Sequence, residues 1–185
     1  MARKAYNLEM AMEKPEEVEE LYISTMGLKE FPEKIFLLKN LKKLDFSNNS
    51  LTKIPRQFSQ LSQLEELRLQ NNFLKNASFT FFKAKDFPHL KILDLSKNKI
   101  TRIPKHIFQF NNLINLDLNK NSIKEISPEI ALLKNLSLLI LSDNLISKLP
   151  EEINQLKKLR VLDLHKNQLE FLPSLGRGVL HWINL

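Results

Sequence analysis

A fixed period of about 23 residues is the feature of this 185-residue sequence that most restricts its fold. Five of its eight prolines mark the period, because 23, 49, 46 and 23 residues separate Pro32, Pro55, Pro104, Pro150 and Pro173. The 49-residue interval contains one unit of 23 and one of 26, and the 46-residue interval contains two units. A period in this range indicates a repeat architecture, in which each unit packs on its neighbours. The chain is therefore expected to form one stack of similar units.

Seven units in phase follow from this period. They begin at Val18, Leu41, Leu64, Leu90, Leu113, Leu136 and Leu159. Stretches such as LKKLDFSNNSLTKIP and LRVLDLHKNQLEFLP fit the pattern L-x-x-L-x-L-x-x-N-x-L-x-x-L-P. From residue 18 to about residue 173 the sequence thus resembles the leucine-rich repeat proteins.

The Leu-x-Leu core of each unit is a strand signature, since its two leucines point to one face and the residue between them to the other. One unit alone cannot bury its leucines, so each strand is expected to pair in parallel with the next. Strand spacing of about 4.8 Å is tighter than packing on the opposite side, which curves the stack. We therefore predict an α/β repeat solenoid, a right-handed leucine-rich repeat arc. Its parallel β-sheet is concave, and its convex side has short helical or irregular segments.

One asparagine recurs after each strand from the second unit onward, whereas the first unit has Met26 at that position. A side-chain amide there can satisfy backbone groups where the strand turns away. We interpret this column as a structural ladder and not as a binding site: Asn49, Asn72, Asn98, Asn121, Asn144 and Asn167. The third unit is three residues longer, and we expect its Phe79, Phe82 and Phe87 to pack on the convex side.

The N-terminal residues 1–17 are predicted to form a capping helix over residues 5–14 that ends before Pro15. An end unit exposes its leucines, so a capping element is required. The segment from Leu8 to Ser24 resembles the start of the leptospiral leucine-rich repeat proteins, which have a helix, a proline and then the first strand. This resemblance implies a bacterial protein whose relatives are often exported and meet host surfaces.

The seven repeats are assigned to residues 18–173, and residues 174–185 to an irregular C-terminal cap or a truncated eighth repeat. The apolar spacing continues in phase, which places a further strand at Trp182 to Leu185. One interpretation is a minimal cap with Trp182 as its lid. The other is an open sheet edge, which would permit self-association through Trp182–Leu185.

Composition excludes several classes of function. The chain has no Cys and only three Gly, so thiolate metal sites, cysteine nucleophiles and glycine-rich phosphate loops are absent. Of the four histidines only His165 projects from the concave sheet, and the aspartates of the Leu-x-Leu column are expected to be exposed. We therefore assign no catalytic residue, no metal and no cofactor. No stretch is long and apolar enough for a membrane span or a signal peptide, which predicts a cytoplasmic chain, or an exported one if a leader was removed.

The residues that point away from the core on the predicted strands are the candidate binding residues. Leu138, Ile140 and Val161 are apolar on neighbouring strands, and monomers rarely expose such clusters without use. Arg68 lies between Asp45 and Asp94 in a predicted cross-strand charge ladder. The full candidate set on the concave face is Tyr22, Arg68, Ile92, Asp117, Leu138, Ile140, Val161, Asp163 and His165.

The formal charge of +7 is unevenly distributed. The concave face has seven acidic and five basic side chains, a formal −2, which leaves +9 on the rest of the chain. A phosphate backbone would be repelled there, and aromatic side chains for base stacking are scarce. We predict a non-catalytic module that binds a protein partner on its concave face, with a host surface protein implied by the leptospiral resemblance. The alternatives are an intracellular scaffold or regulatory repeat protein, and nucleic-acid or acidic-lipid binding through the basic exterior.

Overall fold

The computed structural model describes residues 3–170 and the backbone of Ile183–Asn184. Within these residues the chain forms one open sheet in which all neighbouring strands are parallel and follow sequence order. The strands are β1 (Arg3–Ala5), β2 (Val18–Tyr22), β3 (Lys43–Asp45), β4 (Glu66–Arg68), β5 (Ile92–Asp94), β6 (Asn115–Asp117), β7 (Leu138–Ile140), β8 (Val161–Asp163) and β9 (Ile183–Asn184). The parallel-sheet solenoid predicted from the repeat is confirmed.

The register of the sheet follows the leucine spacing of the sequence. The central leucines of β2 to β8 lie opposite one another and are almost fully buried: Leu21, Leu44, Leu67, Leu93, Leu116, Leu139 and Leu162. After each of the strands β2 to β8 the chain turns through one residue whose φ is positive, between 52° and 62°. These residues are Thr25, Asn48, Asn71, Lys97, Lys120, Asp143 and Lys166. Identical turns at 23- to 26-residue intervals keep every strand in phase.

The side opposite the sheet consists of short 3₁₀ segments, several of which begin after a proline. They span Pro15–Glu17, Glu33–Leu37, Arg56–Gln60, Asn76–Phe79, Ala84–Asp86, Lys105–Gln109, Pro128–Leu132 and Glu151–Gln155. In the longer third unit, two such segments flank a cluster of buried phenylalanines. Phe79, Phe82 and Phe87 are at most 2% exposed, and the Phe82 ring lies 4.8 Å from that of Phe87 and 5.1 Å from that of Phe110. Their predicted packing on the convex side is confirmed.

The asparagine column links the backbones of successive units. The Nδ2 of Asn98, for example, donates to the carbonyl oxygens of Leu69 (3.0 Å) and Leu95 (3.1 Å), which belong to two units. Its Oδ1 accepts the backbone N–H of Leu74 at 3.0 Å. In the first unit, where Met26 replaces the amide, Asn49 Oδ1 accepts the backbone N–H of Met26 itself at 3.1 Å.

The N-terminal segment differs from the prediction of a helix over residues 5–14. The helix α1 spans only Leu8–Glu13, and it is capped by Asn7, whose Oδ1 accepts the N–H of Met10 at 2.7 Å. The residues before it form β1, which pairs with β2 and buries Ala5 completely. The helical spacing was misleading because the unpaired edge of β2 offers backbone groups that an extended segment satisfies. No helix among residues 3–170 is long and apolar enough to cross a membrane.

At the other end, the backbone of β9 pairs with β8 through Leu162 opposite Ile183 and Asp163 opposite Asn184. The structure thus has a further strand within the segment where the sequence placed one. Residues 171–182 and 185, including Trp182 as a lid, lie outside the described residues. Self-association through this edge stays a prediction.

Candidate functional site

The outward side chains of β2 to β8 form two straight rows across the concave face, because neighbouring strands pair without a register shift. The first row contains Glu20, Lys43, Glu66, Ile92, Asn115, Leu138 and Val161. The second row contains Tyr22, Asp45, Arg68, Asp94, Asp117, Ile140 and Asp163. The rows are charged in the N-terminal repeats, whereas apolar side chains appear in the C-terminal repeats. All nine candidate binding residues lie on this face or at its rim.

Ion pairs occupy the N-terminal part of the concave face. Glu20 contacts Lys4 Nζ at 3.1 Å and Lys43 Nζ at 3.6 Å, and Lys43 lies 4.0 Å from Glu66. Tyr22 donates its hydroxyl to Glu20 Oε2 at 2.6 Å, a bond that raises the pKa of Tyr22 to about 12. The Tyr22 ring also stacks on the exposed Tyr6 with 5.6 Å between centroids. Sequence reasoning missed Tyr6 because it lies outside the repeats, in a segment predicted to be helical.

Arg68 lies between Asp45 and Asp94 as predicted, but its direct ion pair is with another residue. It lies opposite both in the sheet register, but its Nε donates to Glu66 Oε1 on its own strand at 2.6 Å. This bond raises the pKa of Arg68 above its usual range, and the charges of Asp45 and Asp94 also contribute. The two aspartates instead turn toward the backbone, where each accepts the N–H of the serine two residues later at 2.9 Å. The sequence did not indicate the ion pair with Glu66, because these local hydrogen bonds of the aspartates are not visible in the charge pattern.

The same local bond recurs along the aspartate column and changes the expected exposure. Asp117 Oδ1 accepts the N–H of Asn119 at 2.8 Å, and Asp163 Oδ1 accepts that of His165 at 3.1 Å. These carboxylates were predicted to be exposed, but they are half-buried. Burial raises the pKa of Asp117 to about 6, since the bond from Asn119 lowers it by less, and the charges of Asp94 and Asp163 raise it further.

Leu138, Ile140 and Val161 form an apolar cluster on β7 and β8, which we call the concave cluster. Leu138 and Val161 are directly opposite each other, whereas Ile140 lies between Asp117 and Asp163 in the second row. All three side chains are half-buried, so each retains a water-exposed surface. Ile92 lies in the same row as Leu138 but is separated from it by Asn115. The concave cluster is therefore a compact apolar area bordered by two carboxylates.

His165 lies at the C-terminal rim of this area and is exposed. Its backbone N–H donates to Asp163 Oδ1, and its carbonyl accepts the N–H of Asp143 at 2.8 Å. Within residues 3–170, no group of three or more His, Asp or Glu side chains is positioned to hold a metal ion. The chemistry that the described face offers is thus apolar contact, hydrogen bonding and charge.

A second surface was missed by sequence reasoning. A groove of about 720 Å³ runs past the N-terminal ends of β5 to β8, and Lys157, Lys158 and Arg160 line it together with Ile114. We call it the flank groove. A comparison of the residues just before each strand would have found it. In the first four units this position alternates between Glu and Lys. In the last three units it is occupied by Ile114, Ser137 and Arg160.

The comparisons with known proteins agree with the fold. The leucine rich repeat family model matches residues 16–74, 88–131 and 111–169. A search of curated proteins gave no significant match. Among solved structures, a leucine-rich repeat protein of Leptospira interrogans is 27% identical, with a TM-score of 0.55, and the match covers 100% of this chain and 64% of that one. This chain is thus similar to a leptospiral protein but spans less than two thirds of its length.

Two further solved structures share the fold. The ectodomain of the Arabidopsis thaliana membrane receptor kinase GASSHO1/SCHENGEN3, in complex with Casparian strip integrity factor 2, is 29% identical with a TM-score of 0.74. That match covers 90% of this chain and 21% of the ectodomain. An internalin of Listeria monocytogenes, 19% identical with a TM-score of 0.71, matches over 92% of this chain and 48% of its own length, which shows the fold alone. Solenoids of this kind generally bind protein partners on an extended concave surface. Because the repeat model matches most of its length, the chain belongs to the leucine-rich repeat family.

Proposed function

We propose that this chain is a non-catalytic protein-interaction module whose partner binds the concave face, with the concave cluster at the centre of the interface. The observation that carries the proposal is the change in the rows at β7 and β8. The four corresponding positions of β3 and β4 are all charged: Lys43, Asp45, Glu66 and Arg68. On β7 and β8 three of the four are apolar, namely Leu138, Ile140 and Val161, and only Asp163 keeps a charge. The family supports the general role, since its fold is typically a binding scaffold.

Energetics favour this cluster over the charged repeats as an interface centre. Apolar surface gains about 25 cal/mol for each Å² that a partner removes from water. The ion pairs around Glu20 already satisfy one another and would have to be desolvated. A few well-packed residues near the centre carry most of the affinity in many interfaces.

The border of the concave cluster indicates the chemistry of the partner. Asp117 and Asp163 lie on either side of Ile140, and Asp94 is the next residue in the row beyond Asp117. These carboxylates suit a partner that presents an apolar side chain flanked by lysine or arginine. Protonation of Asp117, whose pKa is raised to about 6, would remove one of the charges. Binding is therefore expected to weaken as the pH falls through about 6.

We further propose that the chain is bacterial, is exported and meets a host surface protein, as the resemblance of the segment from Leu8 to Ser24 to the leptospiral proteins implies. The 27% identity to the Leptospira interrogans protein supports the bacterial origin. The test of export is detection of the protein in culture supernatant, with a cytoplasmic protein as the control for lysis. Presence only with the lysis marker would contradict export and would favour a partner inside the bacterial cell. The concave interface itself does not depend on this outcome.

The interface is tested by cross-linking capture from host-cell surface extract and from bacterial lysate. A photoreactive residue replaces Asn115, which lies beside Leu138 in the first row, and the captured protein is identified by mass spectrometry. The double variant Leu138→Asp, Ile140→Asp is expected to lower capture by more than about tenfold. Its melting temperature is measured alongside, and the milder pair Leu138→Ser, Ile140→Thr guards against loss of folding.

A matched control replaces two exposed leucines away from the concave rows. Leu132, at the end of a 3₁₀ segment, is 49% exposed, and Leu145, after the ladder residue Asn144, is 38% exposed. The variant Leu132→Asp, Leu145→Asp adds the same charge and removes as many apolar side chains, so capture should persist. Equal loss in the control, or unchanged capture in both concave variants, would refute the proposed interface.

A further inference from the structure

The flank groove lies on a different surface from the concave face, at the N-terminal ends of the strands. Its walls are the segments that precede β5, β6, β7 and β8, and its volume is about 720 Å³. In the first four units the same flank is electrically balanced. Lys42 Nζ contacts Glu19 Oε2 at 2.9 Å, and Lys91 Nζ contacts Glu65 Oε2 at 2.7 Å. Hydrogen bonds in these pairs raise the pKa of Lys42 and lower that of Glu65.

This balance ends after Lys91. The next positions of the column are Ile114, Ser137 and Arg160, and Lys157 and Lys158 come just before Arg160. Among the described residues, no carboxylate lies within 4.0 Å of the cationic groups of Lys157, Lys158 or Arg160. The sequence of residues 171–185 adds no Asp or Glu. The C-terminal wall of the flank groove therefore has three uncompensated positive charges.

The rest of the groove lining contains Lys91, whose charge Glu65 balances, together with His89, the polar residues Asn112, Asn135 and Ser137, and the apolar residues Pro88, Ile114 and the buried Leu159. Asn112 and Asn135 donate to the carbonyl oxygens of Pro88 and Asn111, both at 2.7 Å, and so fix the positions of adjacent walls. Lys158 Nζ donates to Asn135 Oδ1 at 2.6 Å, which fixes that ammonium group at the groove. The Ile114 side chain is 39% exposed between these walls.

These features distinguish between two kinds of anionic partner. Nucleic-acid strands bind through phosphate charge and through stacking of bases on aromatic rings. The residues that line the groove include no Phe, Tyr or Trp, and His89 is their single aromatic ring, so a run of bases would find no stacking platform. An acidic peptide needs cations for its carboxylates, amides for its backbone and an aliphatic surface for a neighbouring side chain. The groove has all three.

We propose that the flank groove binds an acidic peptide segment of a protein partner. The carboxylates of the peptide form ion pairs with Lys157, Lys158 and Arg160. The guanidinium group of Arg160 can bind a carboxylate through two parallel hydrogen bonds. An aliphatic side chain of the segment packs on Ile114. This second binding surface is independent of the concave face, which suits a partner of the opposite charge.

The test measures fluorescence anisotropy of a labelled peptide of repeated Glu-Glu-Leu, with a Gln-Gln-Leu peptide as its uncharged match. The acidic peptide is expected to bind at about 50 mM salt and to weaken at least about tenfold by 300 mM, since exposed charges are screened. The triple variant Lys157→Glu, Lys158→Glu, Arg160→Glu should abolish binding. Ile114→Ser should lower the affinity for Glu-Glu-Leu but not for a Glu-Glu-Ser peptide.

The control variant is Lys105→Glu, Lys124→Glu, Lys148→Glu, which changes the net charge equally at three exposed lysines outside the groove. It should retain binding within about twofold. Equal loss in both triple variants would show a general charge effect and overturn the proposal. So would absence of binding at about 50 mM salt, or tighter binding of duplex DNA that the groove variant alone removes.

Discussion

Replacement of the ladder residue Asn144 by alanine tests whether the asparagine column holds successive units together. Asn144 is 5% exposed, and its Oδ1 accepts the backbone N–H of Ile123 at 3.0 Å. Its Nδ2 donates to the carbonyl oxygens of Leu118 and Leu141, both at 2.9 Å. Nδ2 also donates to Ser142 O at 3.2 Å, and all four backbone groups lie inside the solenoid.

The magnitude follows from which of these groups keeps another partner. Leu118 O also accepts from Asn121 Nδ2 at 3.1 Å, and Leu141 O also accepts from Asn167 Nδ2 at 2.9 Å. Only the N–H of Ile123 loses its partner completely, which costs about 1–3 kcal/mol. Ser142 O likewise keeps the N–H of Lys120 at 3.0 Å, and the three weakened carbonyl interactions together add about 1 kcal/mol. We therefore expect Asn144→Ala to lower the free energy of unfolding by about 2–4 kcal/mol.

This loss is measured by urea unfolding and by calorimetry. For a chain of this length, the loss corresponds to a decrease in melting temperature of about 4–16 °C. Asn111→Ala is the matched control, because the Asn111 side chain is exposed and its carbonyl remains available to Asn135. The control should change the free energy by less than about 0.5 kcal/mol. If both variants lowered the free energy of unfolding equally, the loss could not be attributed to the unpaired N–H of Ile123 and the weakened carbonyl interactions.

Three further predictions concern single positions. The pKa of Asp117 is raised from 3.8 to about 6 in the folded chain, so the stability of the native protein should fall as the pH rises between these values. Asp117→Asn keeps an Oδ1 acceptor for the N–H of Asn119 but cannot ionise, so it should abolish this pH dependence of stability. The melting temperature measured against pH tests this. Phe82→Ala removes a fully buried ring and should lower the free energy of unfolding in urea by about 3–5 kcal/mol. Phe81 is half-exposed, so Phe81→Ala should lower it by less than about 0.5 kcal/mol. Lys120 has a φ of 52°, so Lys120→Val should destabilise by about 1–2 kcal/mol and Lys120→Gly by much less.

Much of the fold could be predicted from sequence because one local rule recurs in every unit. Leu-x-Leu followed by the asparagine specifies a strand, a turn and a backbone link, and stacking then gives the register without long-range information. The positions of the concave cluster follow in the same way. Since Leu138 and Val161 occupy equivalent positions in consecutive units, the period alone places them opposite each other.

Features that depend on competition between contacts could not be predicted. The spacing of residues 5–14 allowed a helix, but the free edge of β2 favours a strand at Arg3–Ala5. The repeat places Arg68 between two aspartates on neighbouring strands. Both aspartates accept backbone N–H groups, and the Arg68 guanidinium group binds Glu66 on its own strand instead. Likewise, the raised pKa of Asp117 arises from burial, which a column of equivalent aspartates does not reveal.

The repeat determines how the basic net charge of the chain is distributed over its surfaces. Because equivalent residues of consecutive units become neighbours, an alternation of Glu and Lys at one position cancels across strands, as in Glu19 with Lys42 and Glu65 with Lys91. When the alternation stops, the following cations have no neighbour of opposite sign, and the excess collects at Arg160 and the lysines before it. Charge in such a chain is thus informative only column by column. The flank groove lies where one column loses its alternation, and the concave cluster lies where three outward positions of β7 and β8 become apolar beside the carboxylates of Asp117 and Asp163.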